Sequence, residues 1–413
     1  MSHPSKDIVS TGGLELKGRK IAMCITGSIS AFQCPKIARE LMRYGADVYP
    51  ILSKKSQKII HPNLMEWATG NTPVTKLTGK IEHIAGILMN KVDLILISPA
   101  TANTINKISC GISDTIVTTF ISTALGSNIP IIIVPAMHES LFFNPILKKN
   151  IDKLLSLDIE FVNPRIEEGK AKMASVEEIV EVVIRRLLVQ DMENIRILVT
   201  AGPTLEYIDP IRIITNKSSG KMGVALAKEA FRRGAQVTLI YGHGKVSPPQ
   251  DVRVINVETT EEMHNAVISE LQSKEYDLLI SASAVTDFIP KKRYNHKLSS
   301  HVKELYIKLK PLPKIIQKVK EFYPEIFMVA FKAEYRLSEQ ELIDGAYEFL
   351  KTSNANLIIA NDVFKKETGF GTDTNEVFII NRKKDIIHVP LSSKQIVSKN
   401  IIDAILNEYK IKD

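Results

Sequence analysis

The sequence predicts an α/β protein of two doubly wound domains, each a mostly parallel sheet covered by helices on both faces. Short apolar runs rich in Val, Ile and Leu recur between longer segments of helical periodicity. The runs are apolar throughout rather than alternating, which is the pattern of strands buried on both sides. The alternation of runs stops at a polar break, Asp191–Asn194, and then starts again. A length of 413 residues suits two domains, 1–190 and 191–413, each able to bury its own core.

In the first half, Lys20–Thr26 reads as a strand, Ala31–Tyr44 as an amphipathic helix and Asp47–Leu52 as a second strand. Asp93–Ser98 and Ile129–Val134 are further buried-strand runs with helical patterns between and after them. Ser175–Gln190 closes this half as a helix, with Ser175 and Glu178 spaced as a capping box. In the second half, strands are expected at Ile195–Thr200, Gln236–Tyr241, Asp277–Ser281, Phe327–Phe331 and Asn356–Ala360. Helices fit at Lys221–Arg233, Thr259–Ser273, Lys314–Phe322 and Ser338–Lys351. Thr259 with Glu262, and Ser338 with Glu341, supply two more capping boxes. Val377–Ile380 and Ile386–Pro390 read as a short antiparallel appendage before a C-terminal helix. The halves share an architecture but no sequence repeat.

Hydrophobic content of 44% and charged content of 24% are those of a soluble globular protein. No apolar run reaches the ~20 residues that a membrane span needs. The segment MSHPSKDIVSTGG lacks the apolar core of a secretory signal, so a cytoplasmic protein is expected. Cys24, Cys34 and Cys110 have no paired spacing, which argues against a disulfide framework or a zinc site. A net charge of +8 suits anionic ligands. Its lysines and arginines are scattered, and 6% aromatics offer no stacking platform, so nucleic acid is not an expected partner.

Polar turns follow several strands, at the sheet edge where ligands of such folds bind. Gly27–Ser28–Ile29–Ser30 can wrap a phosphate with amides and hydroxyls. Its spacing is not GxGxxG, however, and a plain strand–helix turn fits equally well. Ser98–Pro99–Ala100–Thr101 is a second polar turn at that edge, and Pro135–Ala136–Met137–His138 brings His138 there. By itself His83, between Ile81 and Ile84, reads as a structural or merely exposed helix histidine. In the second half, the strand Ile195–Thr200 runs into the small-residue turn Ala201–Gly202–Pro203. Ile211–Gly223, IRIITNKSSGKMG, then crowds Asn216, Lys217, Ser218, Ser219 and Gly220 before a helix. A helix N-terminus with exposed amides and a nearby cation suits an anion, most often phosphate. Asp287, Lys297, the pair Phe331–Lys332 and Asn361–Asp362 follow other strands. Each segment alone reads as a solvated loop. As a set they supply oxygens for Mg2+ and cations for phosphoryl groups.

Along Lys17–Gln190 these pieces resemble the flavin-dependent cysteine decarboxylase family. The resemblance implies a Rossmann-like, flavodoxin-like domain that binds FMN through Gly27, Ser28, Ile29, Ser53, Ser98, Pro99, Ala100 and Thr101. It also implies that His83 acts on the substrate. His138 stands where the family's PxMN motif has an asparagine that contacts the substrate carboxylate, and Leu141 replaces a later methionine. A neutral imidazole donates one hydrogen bond and a protonated one two, so His138 can keep that role. The clamp segment Asn163–Lys170 has no cysteine, and the step assigned to that cysteine in the family lacks its residue here. Arg165 or Lys170 can instead pair with a substrate phosphate or carboxylate.

Along Ile195–Lys410 the chain resembles phosphopantothenate–cysteine ligases, in which CTP with Mg2+ activates 4′-phosphopantothenate as an acyl-cytidylate before cysteine displaces CMP. The resemblance implies a Rossmann-like domain in which Gly202, Ser218, Ser219, Gly220, Asp287, Lys297 and Phe331 bind nucleotide. Asp287 would also bind the metal, and Asn216 and Lys297 would serve the acyl-intermediate steps. The family's KxKK motif reads KLSS here, which leaves Lys291, Lys292 or Lys332 as candidates for the outer phosphates. Together the halves imply two consecutive steps of coenzyme A biosynthesis, ending in 4′-phosphopantetheine. An enzyme with one active half, or a non-enzymatic regulatory subunit, remain as alternatives. Trimeric decarboxylase halves and dimeric ligase halves, and so a homo-oligomer up to a dodecamer, are expected from the families alone.

Overall fold

Strands β1 (Lys20–Ile25), β2 (Asp47–Leu52), β3 (Leu94–Ala100) and β4 (Ile131–Pro135) build the first sheet of the computed structural model. β5 (Met137–His138) leaves that sheet, and β6 (Glu160–Phe161) completes it in the order β2-β1-β3-β4-β6, all parallel. The structure describes residues 3–84, 92–249, 252–299, 304–364, 367–369 and 371–410. The chain divides into two compact units, Met1–Val189 and Gln190–Asp413.

Alternation along each buried strand feeds two cores in the first unit. Ile21, Met23, Leu94 and Leu96 pack beneath the helices Cys34–Arg43 and Val176–Leu187 through Ile37, Leu41, Ile179 and Val183. Ala22, Cys24, Ile95 and Ile97 pack on the other face against Ile105, Phe120 and Leu147. β1 lies between β2 and β3, so the connections leave it in opposite directions and open a crevice at its C-terminal end. The expected helix Ala31–Tyr44 starts later: a 3-10 turn covers Ile29–Gln33 and the α-helix begins at Cys34. Pro35 lies in its first turn, where a missing N–H costs nothing. A second small sheet, in the order β5-β8-β7, pairs β8 (Lys170–Lys172) with β5 on one side and β7 (Arg165–Glu167) on the other, both antiparallel.

The second unit restarts with β9 (Arg196–Ala201), then the antiparallel ribbon of β10 (Leu205–Tyr207) and β11 (Ile213–Thr215). Next come β12 (Gln236–Tyr241), β13 (Arg253–Asn256) and β14 (Leu278–Ser281). A second ribbon joins β15 (Phe288–Pro290) to β16 (Leu309–Pro311). β17 (Phe327–Glu334), β18 (Leu357–Asp362), β19 (Thr374–Asn381) and β20 (Ile386–Ser393) finish the unit. Eight of these form one sheet, β13-β12-β9-β14-β17-β18-β19-β20, parallel as far as β18 and antiparallel beyond. The expected appendage is therefore part of the main sheet. Val377 and Ile379 pack with Ile401 and Ile405 of the helix Lys394–Lys410, while Phe378 and Ile380 pack with Leu342 and Ala346. β19 needs both faces covered, and a detached hairpin would leave one of them wet.

The capping boxes at Ser175/Glu178 and Ser338/Glu341 form reciprocally. Thr259 accepts from the Glu262 amide at 3.1 Å, but the Glu262 carboxylate reaches back to the Glu258 amide at 2.8 Å instead. The helix Lys221–Arg232 approaches β9 so closely that a Cβ on Gly223 would lie 2.4 Å from Ala201 Cβ. Only glycine permits that approach.

Candidate functional site

In the first unit, the ends of β1 and β3 are tied together. The Thr26 hydroxyl donates to the Pro99 carbonyl at 2.7 Å and accepts from the Thr101 amide at 3.2 Å. Ser53 joins from β2, its amide donating to Ile25 O at 3.0 Å while its hydroxyl accepts from the Ser56 amide at 3.1 Å. Several expected cofactor residues thus have side chains engaged inside the protein. The buried Ser98 hydroxyl faces Met173 Sδ at 3.6 Å, and Thr101 caps the helix Ala102–Ser109. Pro99 and Ala100 are buried. Gly27 packs on Lys55, whose Cβ would sit 2.5 Å from an added Cβ. Ser28 precedes the turn Ile29–Gln33 without a side-chain capping bond, and Ile29 is 75% exposed. What this edge offers a ligand is therefore backbone, the Ser28 and Ser30 hydroxyls and an apolar surface.

His83 sits in the single turn Glu82–Ile84, and its Nδ1 is buried without a hydrogen-bond partner among the described residues. Its turn packs against the helix Ile116–Gly126, and no hydrogen bond joins it to the Gly27 or Pro99 turns among the described residues. His138 caps the helix Glu139–Phe142, its Nδ1 accepting from the Ser140 amide at 3.3 Å. An acceptor at Nδ1 places the proton of the neutral ring on Nε2, which is free to donate. Lys170 lies directly across the β5–β8 ladder from His138. On the same hairpin, Lys172 is held by Glu167 at 3.1 Å and Glu168 at 2.9 Å, whereas Lys170 forms no ion pair among the described residues. Burial pushes the thiols of Cys24 and Cys34 well above the ordinary cysteine range, so both remain unreactive packing groups.

In the second unit, a cavity of about 370 Å³ opens at the C-terminal ends of β14 and β17, beside the turn before Lys221. Asn216, Ser218, Ser219, Gly220, Asp287 and Phe331 all line it. The Asn216 amide nitrogen donates to Ala284 O and Val285 O, both at 3.1 Å, which leaves Oδ1 unbonded. Gly220, with φ +80°, ends the turn in the left-handed region and starts the helix with no side-chain cap. Gly202 lies behind it as support, its Cα 3.3 Å from where a Gly220 Cβ would be.

Lys297 is not in the cavity wall. It is exposed on a loop whose next residue is anchored elsewhere: the Leu298 amide donates to Asp209 at 3.1 Å, and its carbonyl accepts from Arg212 at 3.1 Å. Burial alone would raise the Asp209 pKa, but the amides of Ile211, Arg212 and Leu298 and the Arg212 guanidinium hold it well below the usual carboxylate range. Lys291 and Lys292 are also outside the wall, while Lys332 lines it and pairs with Glu334 at 2.8 Å.

Two contributors, Asn375 and Lys394, carry no sequence signal. Asn375 and Asn361, the latter expected after its strand, are both buried and meet at 3.4 Å in the wall. Lys394 begins the last helix, donates to Thr372 O at 2.6 Å and faces the same cavity. Burial, and then the neighbouring Lys221, lower its pKa to about 8. Among the described residues no group of three or more His, Cys, Asp or Glu is placed to hold a metal, so Asp287 stands as a single carboxylate. No described helix is long and apolar enough to cross a membrane.

Residues 192–409 match the family model of the DNA/pantothenate metabolism flavoprotein C-terminal domain, and residues 10–188 match the Flavoprotein model. The coenzyme A biosynthesis bifunctional protein CoaBC of Thermococcus kodakarensis is 52% identical over 385 residues, 92% of this chain and 94% of its own. Its namesake from Methanocaldococcus jannaschii is 42% identical over 405 residues, 98% of this chain and 97% of its own. A crystal structure of the C-terminal domain of a CoaBC protein aligns at 33% identity and a TM-score of 0.45, covering 54% of this chain and 98% of that one.

Proposed function

The chain belongs to the bifunctional coenzyme A biosynthesis family, and from that membership we infer how its two units divide the work. The second unit couples cysteine to 4′-phosphopantothenate. The first decarboxylates the product to 4′-phosphopantetheine. The observation that carries the ligase half is the cavity at the strand ends, where Asn216, Asp287, Phe331 and the Ser218–Gly220 turn face one space.

CTP is the activating nucleotide in this reading. The turn amides take phosphate oxygens, and Phe331 borders the base. Asp287, the one carboxylate in the wall, would be the protein ligand of a Mg2+ ion, which would neutralise phosphate charge. Asn216 has its nitrogen committed to two carbonyls, so Oδ1 is the atom left to accept from the cysteine amine as it approaches the acyl carbon. Lys297 acts only if its loop moves; the cavity's cations come from elsewhere.

In the first unit, the crevice between β1 and β3, the Ser28 hydroxyl and the exposed Ile29 suit a flavin phosphate and ring. FMN supplies the electron sink that loss of a carboxylate beside a saturated carbon requires. The unpartnered His83 Nδ1 is able to exchange a proton with the substrate. His138, with Nε2–H outward, donates to the substrate carboxylate, and Lys170 beside it takes a second anionic group. The lone pair at Nδ1 is already engaged, which makes His138 a donor like the amide it replaces. A homo-oligomer of trimeric first units and dimeric second units, working in the cytoplasm, completes the reading.

Two measurements test these assignments. A flavin absorbance band should accompany the purified protein. Phosphopantothenate-dependent pyrophosphate release should be faster with CTP than with ATP. A colourless protein that cannot be loaded with FMN, or release with neither nucleotide, would remove the corresponding half.

A further inference from the structure

We propose that Lys394 and Lys221 form a cation pair that holds the outer phosphates of the nucleotide, the group that leaves as pyrophosphate. The assignment rests on the reading of the second unit as a nucleotide-dependent ligase. Four lysines line the cavity: Lys221, Lys314, Lys332 and Lys394. Lys314 and Lys332 both lie over the Phe349 ring, at 4.7 and 5.2 Å, and Lys332 is neutralised by Glu334. Lys221 and Lys394 lie instead beside the Gly220 turn. Lys221 bonds Asp373 at 2.6 Å and Gly371 O at 3.0 Å, and Lys394 bonds the intervening Thr372 carbonyl. One short loop before β19 thus gathers two ammonium groups drawn from distant parts of the chain.

Their charges do not balance. Asp373 pairs with Lys221, and Lys394 forms no ion pair among the described residues. Three elements face Lys394: the helix Lys221–Arg232 brings Lys221, the Gly371–Asp373 loop brings Asp373, and the nearby wall brings uncharged Asn361 and Asn375. Holding a half-buried ammonium beside a second one costs free energy that the Thr372 carbonyl and Asp373 offset only in part, since its pKa stays lowered. An anion in the cavity would. Two cations side by side suit a polyphosphate better than a single carboxylate, because its charge is spread over several oxygens. They also fill the place left by the reduced KLSS motif and the outward Lys297.

A consequence follows for protons. With its pKa near 8 in the empty cavity, Lys394 is about half protonated at pH 8. A bound polyphosphate favours the charged form and raises that pKa. Binding at pH 8 therefore takes up about half a proton, and binding at pH 6.5 takes up almost none.

The test is calorimetric titration of Mg-CTP into the full-length protein without phosphopantothenate, in HEPES and in Tris. Wild type should show the uptake at pH 8 and lose it at pH 6.5. Lys394→Met should weaken binding roughly ten-fold and abolish the uptake. Lys394→Arg should restore affinity without restoring the uptake, which a merely structural lysine would not do. Unchanged affinity and unchanged uptake in Lys394→Met would overturn the assignment. If wild type binds no CTP, the ligase reading fails first, and inorganic tripolyphosphate then probes the pair alone. Weaker tripolyphosphate binding in Lys394→Met supports the pair; equal binding removes it.

Discussion

Asn216 and His138 illustrate how a side chain's role is set by the half of it that is already bonded. Asn216 commits its nitrogen to Ala284 and Val285 and keeps an acceptor. His138 commits Nδ1 to Ser140 and keeps a donor. Asn216→Asp should therefore leave pyrophosphate release intact while cysteine coupling falls about 100-fold, because a carboxylate can no longer hold Ala284 and Val285. Equal coupling in the variant would free Asn216 from the mechanism. His83→Asn should slow CO2 release by ~100-fold or more, the usual contribution of a proton-transfer group, with ligation unaffected. Mass analysis of the accumulated intermediate checks it. Asn216 and Asp287 stood out in the sequence because one lies in a polar turn before a helix and the other in a polar turn after a buried strand. Lys394 was not: it begins a helix after an ordinary Ser392–Ser393 pair, and only the folded sheet carries it to Lys221.

At the scale of elements, the parallel strands were readable because both faces are buried, so each is apolar throughout. The small ribbons were not. In β7, Arg165, Ile166 and Glu167 are all exposed, and nothing but hydrogen bonds to β8 makes them a strand. The same holds for β15 and β16, whose partners lie far apart in sequence. Such ribbons carry His138 and border the ligase cavity, so much of the candidate site is built from segments with no local pattern. The loop held by Asp209 behaves alike. Since its folded pKa is depressed, its contribution is complete above the ordinary carboxylate pKa of ~4 and is lost as pH falls through the folded value. Thermal midpoints should thus carry the full Asp209 contribution, without pH dependence from it, between pH 5 and pH 7 and fall below pH 4, and Asp209→Asn should blunt that acid fall. Gly223→Ala tests the helix–strand approach. It should cost about 1–3 kcal/mol of stability and raise the KM for CTP, because the turn at Gly220 moves with the helix.

Each unit has its own cores: among the described residues, every buried cluster draws on one unit alone. Damage should therefore stay local. Phe120→Ala removes a ring from the centre of the first unit and should cost ~3–5 kcal/mol there. Decarboxylation should then fail at a temperature where ligation persists, and simultaneous loss of both would show coupling that separate cores do not predict. One chain should perform both steps in succession. Incubating the purified protein with 4′-phosphopantothenate, cysteine, CTP and Mg2+ and determining the product masses tests this directly. The expected product is 4′-phosphopantetheine. Accumulation of 4′-phosphopantothenoylcysteine, or return of unreacted 4′-phosphopantothenate, would contradict it and name the unit at fault.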